Sequence, residues 1–499
     1  TKKRKAEEKE TEIKKPAVKT TPQTIQRPRR KKSSLLFVIG GVVLVGGVVA
    51  ALALSAGKKD ANGSNGPIPS TTGDISISSS PGGAQVYLDG SNQNKTTPCT
   101  LTNVSEGSHA LKLDLAHYGK WEGNVQVYAN QTTSVDEILS PYLYEYAMKW
   151  GTEGSGSYQF SNPRGIAVDS SGYVYVADTF NHRIVKYDSN GSYVTEWGGL
   201  GSGNSQLWYP TRLATDSSGY IYAADSENHR IVKYGAGGNY ISKIGGSYGS
   251  GDYQFKYATG VTVDNGGNVY VADYENNRIV KFSSSGSYLT QWGSLGSGNN
   301  QFHYPTDIAS DSSNNIYVVD KNNHRISKFD SNGSFITQWG SYGSGDNQFM
   351  SPLGIGIDSH DYIFVGDSDN NRIVKNNSQG EFILSWGSYG SGDEQFLFPA
   401  QVAINSSGDL FVADSGNHRV VKYSLGSSTL NSARLTYFPS QRTGIPQMGI
   451  PRRIVDPGRL PGLKRLDRNP FVKREMERKG ASEKYRGIKE TNKKSHQKR

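Results

Sequence analysis

Between Trp150 and Tyr423 one motif is written six times. The block Asn181-His182-Arg183-Ile184-Val185-Lys186-Tyr187 recurs, so that Arg183 is followed by Arg230, Arg278, Arg325, Arg372 and Arg419 at steps of 47, 48, 47, 47 and 47 residues. A second column, Trp150, Trp197, Ile244, Trp292, Trp339 and Trp386, keeps the same step with one aliphatic exception. A fixed period of this length signals repeated supersecondary units, none able to bury its apolar face alone. Each unit reads as four short strands. In the first they are Gly165 to Asp169, the alternating runs Tyr173 to Ala177 and Arg183 to Tyr187, and Tyr193 to Trp197, separated by Ser170-Ser171-Gly172 and Ser189-Asn190-Gly191 turns. Four strands per repeat with no helical period predict a β-propeller of six blades. The sixth unit stops at Tyr423 after its third strand, whereas Tyr142 to Trp150 carries the fourth-strand pattern ahead of the first unit. The N-terminal strand is therefore expected to complete the last blade and leave no open edge.

The run Pro163-Arg164-Gly165-Ile166-Ala167-Val168-Asp169, followed by Val174-Tyr175-Val176-Ala177-Asp178 and Asn181 to Tyr187, resembles the NHL-repeat family. The resemblance extends over all six units and implies the propeller fold. It implies little about activity, because that family holds binding scaffolds and several unrelated enzymes.

Outside the repeats the chain changes character three times. Residues 1–34 hold 13 Lys/Arg against 4 Glu, residues 425–499 hold 19 Lys/Arg against 6 acids, and the body between them holds 23 against 35. The overall charge of +10 thus hides two basic ends around an acidic middle. The first segment has too little apolar surface to fold and reads as disordered and cytoplasmic. Leu35 to Ala56 runs 22 residues without a charge, enough for one transmembrane helix; cleavage after Ala51-Leu52-Ala53 is the alternative. Basic Arg27, Arg29, Arg30, Lys31 and Lys32 precede the span, which predicts an inside N-terminus and extracytoplasmic domains at the cell membrane. Residues 57–73 read as a Gly/Ser linker. Residues 74–140 alternate like a compact antiparallel β-sandwich, and 141–424 hold the propeller. Residues 425–499 read as a solvated basic tail, with attachment to a membrane surface or an anionic glycan as its functional rival. Cys99 is alone, so no intrachain disulfide can form.

In the small segment, Ser80-Pro81-Gly82-Gly83-Ala84, Val86-Tyr87-Leu88-Asp89-Gly90, Thr97-Pro98-Cys99-Thr100-Leu101 and Gly107-Ser108-His109 resemble a PEGA domain, with Gly82 where an acidic residue is expected. That resemblance implies a microbial cell-surface setting and no particular chemistry.

The repeated polar residues invite a catalytic reading and resist it. His182, His229, His324 and His418 give way to Asn277 and Asn371 in two units, so their role is structural hydrogen bonding or packing. The pairs Asp178/Arg183, Asp225/Arg230, Asp273/Arg278, Asp320/Arg325, Asp367/Arg372 and Asp414/Arg419 occur six times out of six, as a structural charge-assisted bond would. Binding is expected where the repeat breaks, on the face carrying the loops into the first strand and between the second and third. Trp208, Tyr209, Arg212, Tyr257, His303, Tyr304, Asp307 and Phe398 are the candidate ligand-binding residues there. Trp208 is the expected anchor, and Arg212 and Asp307 are expected to set polarity. Phe180, Glu227, Tyr274, Lys321 and Asp369 stand on neighbouring loops.

Taken together, the sequence predicts an all-β protein: a six-bladed NHL-like β-propeller preceded by a PEGA-like β-sandwich and one N-terminal transmembrane helix. The expected function is a membrane-anchored surface binding or scaffold protein for an extracellular protein, peptide or glycan ligand. No catalytic residue, metal or cofactor is assigned, and an acidic body facing outward argues against nucleic acid. The rival is a metal-dependent propeller lyase or hydrolase, by analogy with peptidylglycine-amidating lyase and lactonases. That reading needs several His and carboxylate ligands near the axis, and among the histidines of the propeller only His303 and His360 lie off the repeated columns.

Overall fold

The computed structural model describes residues 71–429. The expected basic segment 1–34, the span at 35–56, nearly all of the linker and the tail beyond 429 lie outside the described residues. Among those described, no helix is long and apolar enough to cross a membrane. The described chain is all-β, punctuated by single 3-10 turns such as Thr179–Asn181.

Strands Thr72–Ser80, Cys99–Ser105 and Thr132–Ile138 form one sheet of a small sandwich. Gln85–Leu88, Ser91–Thr96, Gly107–Asp114 and Trp121–Val127 form the other. Period-two alternation turns Ile75, Ile77, Val86, Leu111, Leu113, Val125 and Val127 into a shared core. Two expectations are corrected here. The sandwich is not wholly antiparallel: Thr72–Ser80 pairs in parallel with Thr132–Ile138, which is possible because the intervening chain crosses through the other sheet before returning. Gly73, assigned above to the flexible linker, already belongs to the first strand. A Cβ there would lie 2.3 Å from the Tyr128 carbonyl oxygen.

Six four-stranded antiparallel sheets follow, one per repeat. The first strands (Pro163–Val168, Pro210–Thr215, Ala258–Val263, Pro305–Ser310, Gly354–Ile357 and Pro399–Ile404) each touch the first strands of both neighbouring blades, so they surround the axis. Second and third strands such as Val174–Asp178 and Arg183–Tyr187 are buried throughout, because a blade is covered on both faces. In blade six the third strand, Arg419–Thr429, is paired antiparallel by Tyr142–Trp150, with Val420 opposite Trp150 and Tyr423 opposite Tyr146. The expected closing strand is therefore present. The third strand runs past Tyr423, and Leu425 and Thr429 pair with Tyr144 and Tyr142.

Five of the six seams between blades repeat one device. The large residue ending a fourth strand packs on the glycine of the next blade's turn. Cβ atoms added at Gly191, Gly238 and Gly333 would lie within 3.0 Å of the Trp150, Trp197 and Trp292 rings, whereas at Gly286 the distance to Ile244 relaxes to 3.6 Å. A third-strand lysine reaches the carbonyl of the same turn: Lys186 to Ala236 (3.1 Å), Lys281 to Ser331 (2.8 Å), Lys328 to Ser378 (3.2 Å) and Lys422 to Ser189 (3.2 Å). The seam between blades five and six has no such turn, because its third and fourth strands come from opposite ends of the propeller. Tyr144 instead stacks on Trp386 (centroids 5.3 Å apart, planes at 7°). The small sandwich docks beside it: the Tyr362 hydroxyl donates to the Ala116 carbonyl at 3.1 Å, and Tyr362 and Ile383 pack on the sandwich core.

Candidate ligand-binding face

The repeated polar columns build the floor of the face. In every blade the arginine Nε donates to Oδ2 of its aspartate at 2.7–2.8 Å. The other carboxylate oxygen caps a backbone N–H entering the first strand, as Asp225 does for Trp208 (2.6 Å) and Asp320 for His303 (2.7 Å). The His/Asn column ties each blade to the next. His182 Nδ1 accepts from the Tyr209 N–H (3.2 Å), His229 from Tyr257 (3.3 Å), Asn277 Oδ1 from Tyr304 (2.9 Å) and Asn371 Oδ1 from Phe398 (3.1 Å). The recipients sit in the left-handed region, Tyr209 at φ +54°, Tyr257 at +64°, Tyr304 at +60° and Phe398 at +53°. That conformation is unusual for bulky side chains; the inter-blade bond holds it and fixes where these rings stand. The histidines are half-buried, and desolvation pushes His182 down to about 4 and lowers His229 and His324 as well.

All of the predicted face residues except Arg212 and Asp307 are half-buried. Tyr209 meets Phe180 edge-on at 5.3 Å, Tyr304 stacks on Tyr274 at 4.6 Å with His303 at 4.9 Å, and Tyr257 packs on His229 at 5.1 Å. Trp208 lies over the 3-10 turn of blade two, its carbonyl accepting from the Glu227 N–H. Arg212 and Asp307 are placed differently from expectation. They are 3% and 0% exposed and pair at 3.3 Å across the axis, with Arg212 also donating to the Leu353 and Arg164 carbonyls and Asp307 accepting from Ile308 and Ile355 N–H. Burial pushes Asp307 up to about 6 and lowers Arg212, each ion being the other's main support. Gln401 completes the plug, its amide bonded to Ile166 and Leu213. The same position in blades one, three and five is Gly165, Gly260 and Gly354, and a Cβ on any of them would come within about 3 Å of the next blade's backbone. Long polar side chains and glycines therefore alternate round the ring, and the axis is filled.

One residue of the mouth escaped the sequence reading. Arg164 lies in the variable position of Pro-x-Gly, where the other blades carry Thr211, Thr259, Thr306, Leu353 and Ala400; its being the one charge in that column was the available signal. Its guanidinium lies 5.4 Å from the Phe180 ring centroid. Burial, followed by the Arg164 charge and a smaller contribution from Arg212, lowers the Lys321 ammonium, while exposed Asp369 pulls the other way. Aromatic rings and two cations thus gather over a closed axis.

A second polar group lies away from this face, in the seam between blade five and the sandwich. His117 Nε2 is 3.0 Å from His360 Nδ1 and 3.4 Å from Asp358 Oδ2. Burial, followed by the Lys375 and His360 charges, pushes His117 down to about 3, which keeps its imidazole neutral. Among the described residues this is the one group of three His, Cys, Asp or Glu side chains with ligand atoms within 4.8 Å of one another.

A family model for the PEGA domain matches residues 72–142, and one for the NHL repeat matches 160–187, 207–234, 255–282, 302–329 and 396–423, every blade except the fifth. No curated protein matches the chain. Among solved structures, a protein of unknown function from Bacteroides thetaiotaomicron is similar at 16% identity, covering 68% of this chain and 90% of its own, with a TM-score of 0.46. An auxiliary nutrient binding protein from the same organism gives 15%, 68%, 90% and 0.43, and a streptogramin B lyase 16%, 57%, 99% and 0.42. At such identities and scores none of them bears on what this face does.

Proposed function

We propose that this chain, which carries a PEGA domain and an NHL-repeat β-propeller, is a binding protein whose propeller face holds a protein, peptide or glycan ligand bearing negative charge. The observation that carries this reading is the gathering of Arg164 and Lys321 with Phe180, Tyr209, Tyr274 and Tyr304 at the mouth of a plugged axis. A filled axis suits surface recognition better than a reaction in a deep pocket. Rings held by inter-blade bonds offer contact area with little ordering cost, and the cations select a carboxylate or sulfate on the ligand. Trp208 extends the apolar surface at blade two. The charge-free run from Leu35 to Ala56 supports anchoring by a single span, with the cytoplasmic end before it and the propeller outside the cell. No observation at the axis favours the lyase or hydrolase alternative.

The test is binding of the full chain to arrayed acidic glycans (uronate-bearing and sulfated) and acidic peptides. The R164Q/K321Q double variant should lose at least about tenfold in affinity and most of its salt dependence. Trp208→Ala should lose roughly thirtyfold while melting like wild type. A wild-type chain that prefers neutral ligands, or a double variant that binds as well as wild type, would refute the proposal.

A further inference from the structure

Blade five departs from blades one to four at two positions, and the departures converge. The first-strand turn of blades one to five carries an aspartate. In four of them its Oδ2 is occupied by a tyrosine hydroxyl: Tyr175 on Asp169 (2.8 Å), Tyr222 on Asp216 (3.0 Å), Tyr270 on Asp264 (2.9 Å) and Tyr317 on Asp311 (3.0 Å). In blade five that tyrosine is Phe364, so Asp358 keeps its carboxylate while its Oδ2, in a residue only 7% exposed, has no hydrogen-bond partner. Two residues on, where the other turns have Ser171, Ser218, Gly266, Ser313 and Ser407, blade five has His360. The sandwich then brings in His117, also 7% exposed, against both.

We infer that His117, Asp358 and His360 form a binding site for a divalent transition-metal ion of the zinc class, which staples the PEGA domain to blade five. Two imidazole nitrogens and one carboxylate oxygen are a zinc-type donor set, with a fourth position left for water or another ligand. Metal–ligand bonds of about 2.0–2.1 Å in a tetrahedron place neighbouring donor atoms about 3.3 Å apart. The two separations from His117, 3.0 and 3.4 Å, straddle that edge, and all three ligand atoms lie within 4.8 Å of one another, so His360 has to move slightly towards Asp358 on binding. Without an ion, a buried carboxylate oxygen in this seam goes unbonded, at a cost that a cation offsets. The nearby Lys375 ammonium lies over the Tyr362 ring at 4.3 Å, and it does not hydrogen-bond Asp358.

The experiment is titration of the chelator-stripped full chain with Co2+, read by the visible bands of four-coordinate cobalt, followed by displacement with Zn2+. One ion per chain is expected, together with a zinc-dependent rise in melting temperature. His360→Ser restores the residue of the sister turns, and His117→Asn keeps a side chain that tolerates the φ of +64° at that position. Each should weaken binding at least about a hundredfold, since even outer-shell changes cost 10–100-fold, and each should leave the metal-free circular dichroism spectrum unchanged. Absence of stoichiometric binding by the wild-type chain, or binding undiminished in both variants, would overturn the inference. The R164Q/K321Q variant should bind the metal normally, so the outcome here is independent of the ligand-binding face.

Discussion

Five seams of this propeller are made by the repeat itself, and the sixth is made by the two ends of the propeller meeting. In the five, a fourth-strand Trp or Ile lies on a turn glycine, and where the bond is formed a lysine caps a turn carbonyl. At the sixth, the turn is missing: Tyr144 replaces the glycine contact on Trp386, and Lys375, 0% exposed, is enclosed by Tyr362, Tyr144 and Phe364. The sandwich fills what the turn leaves open. Closing a ring with a distant strand removes open edges, but it also removes one hairpin turn, and new chemistry collects in that gap.

The comparison can be broken most severely by deleting residues 142–149. Blade six then loses its outer strand and seam five–six loses Tyr144. Because each blade is stabilised by its neighbours, the loss should approach the whole stability of a domain, on the order of 5–15 kcal/mol. The truncated chain should therefore aggregate or show no cooperative melt by differential scanning calorimetry. A propeller starting at Gly151 that melts like the intact one would show the sixth seam to be dispensable.

Acid should separate the seams more gently. Where His182, His229 and His324 accept through Nδ1, the folded-state pKa lies below the unfolded value, for His182 about 4 against 6.5. The unfolded chain binds protons first, so stability is full above pH 6.5, falls as pH drops towards 4, and loses nothing further from this group below that. For His182 alone the loss is on the order of 3 kcal/mol. The seams joined by Asn277 and Asn371 have no such dependence. His182→Asn should leave the neutral-pH urea midpoint nearly unchanged and flatten the slope between pH 6.5 and 4; an unchanged slope would mean that the histidine column is not what acid opens.

The smallest effect sharpens the contrast within blade five. Phe364→Tyr rebuilds the tyrosine–aspartate bond of the sister blades. It should raise stability by about 0.5–1.5 kcal/mol in metal-free urea melts while competing with His117 for Asp358 Oδ2. If Phe364→Tyr gives no gain, Asp358 was not lacking a partner.

Much of this was legible in the residues. The Arg column counted the blades, the Trp column marked the seams, and Tyr142 to Trp150 showed by pattern alone how the ring closes. Asn277 and Asn371 in place of histidine pointed to packing or hydrogen bonding between neighbouring strands; the column hydrogen-bonds, but from one blade to the next. The loop positions were legible in part: Tyr209, Tyr257, Tyr304 and Phe398 hold equivalent places in their blades. Arg212 and Asp307 were misplaced, because being unique within a column reads as exposure when the partner is unknown.

What the sequence determined by itself is whatever the repeat period encodes: strands, turns, pairings within a blade and contacts from one blade to the next, all separated by about one repeat of 47 residues. What tertiary structure decided lies at longer separations. Arg212 meets Leu353 141 residues away, and Gln401 meets Leu213 188 away, because a closed ring brings alternate and opposite blades together at the axis. His117 meets His360 across 243 residues because the sandwich docks in the seam that lacks a turn. A local pattern specifies its own neighbours through strand register and packing. It carries no record of which distant side chains meet once the ring has closed, so the plug and the histidine–aspartate cluster became visible only in three dimensions.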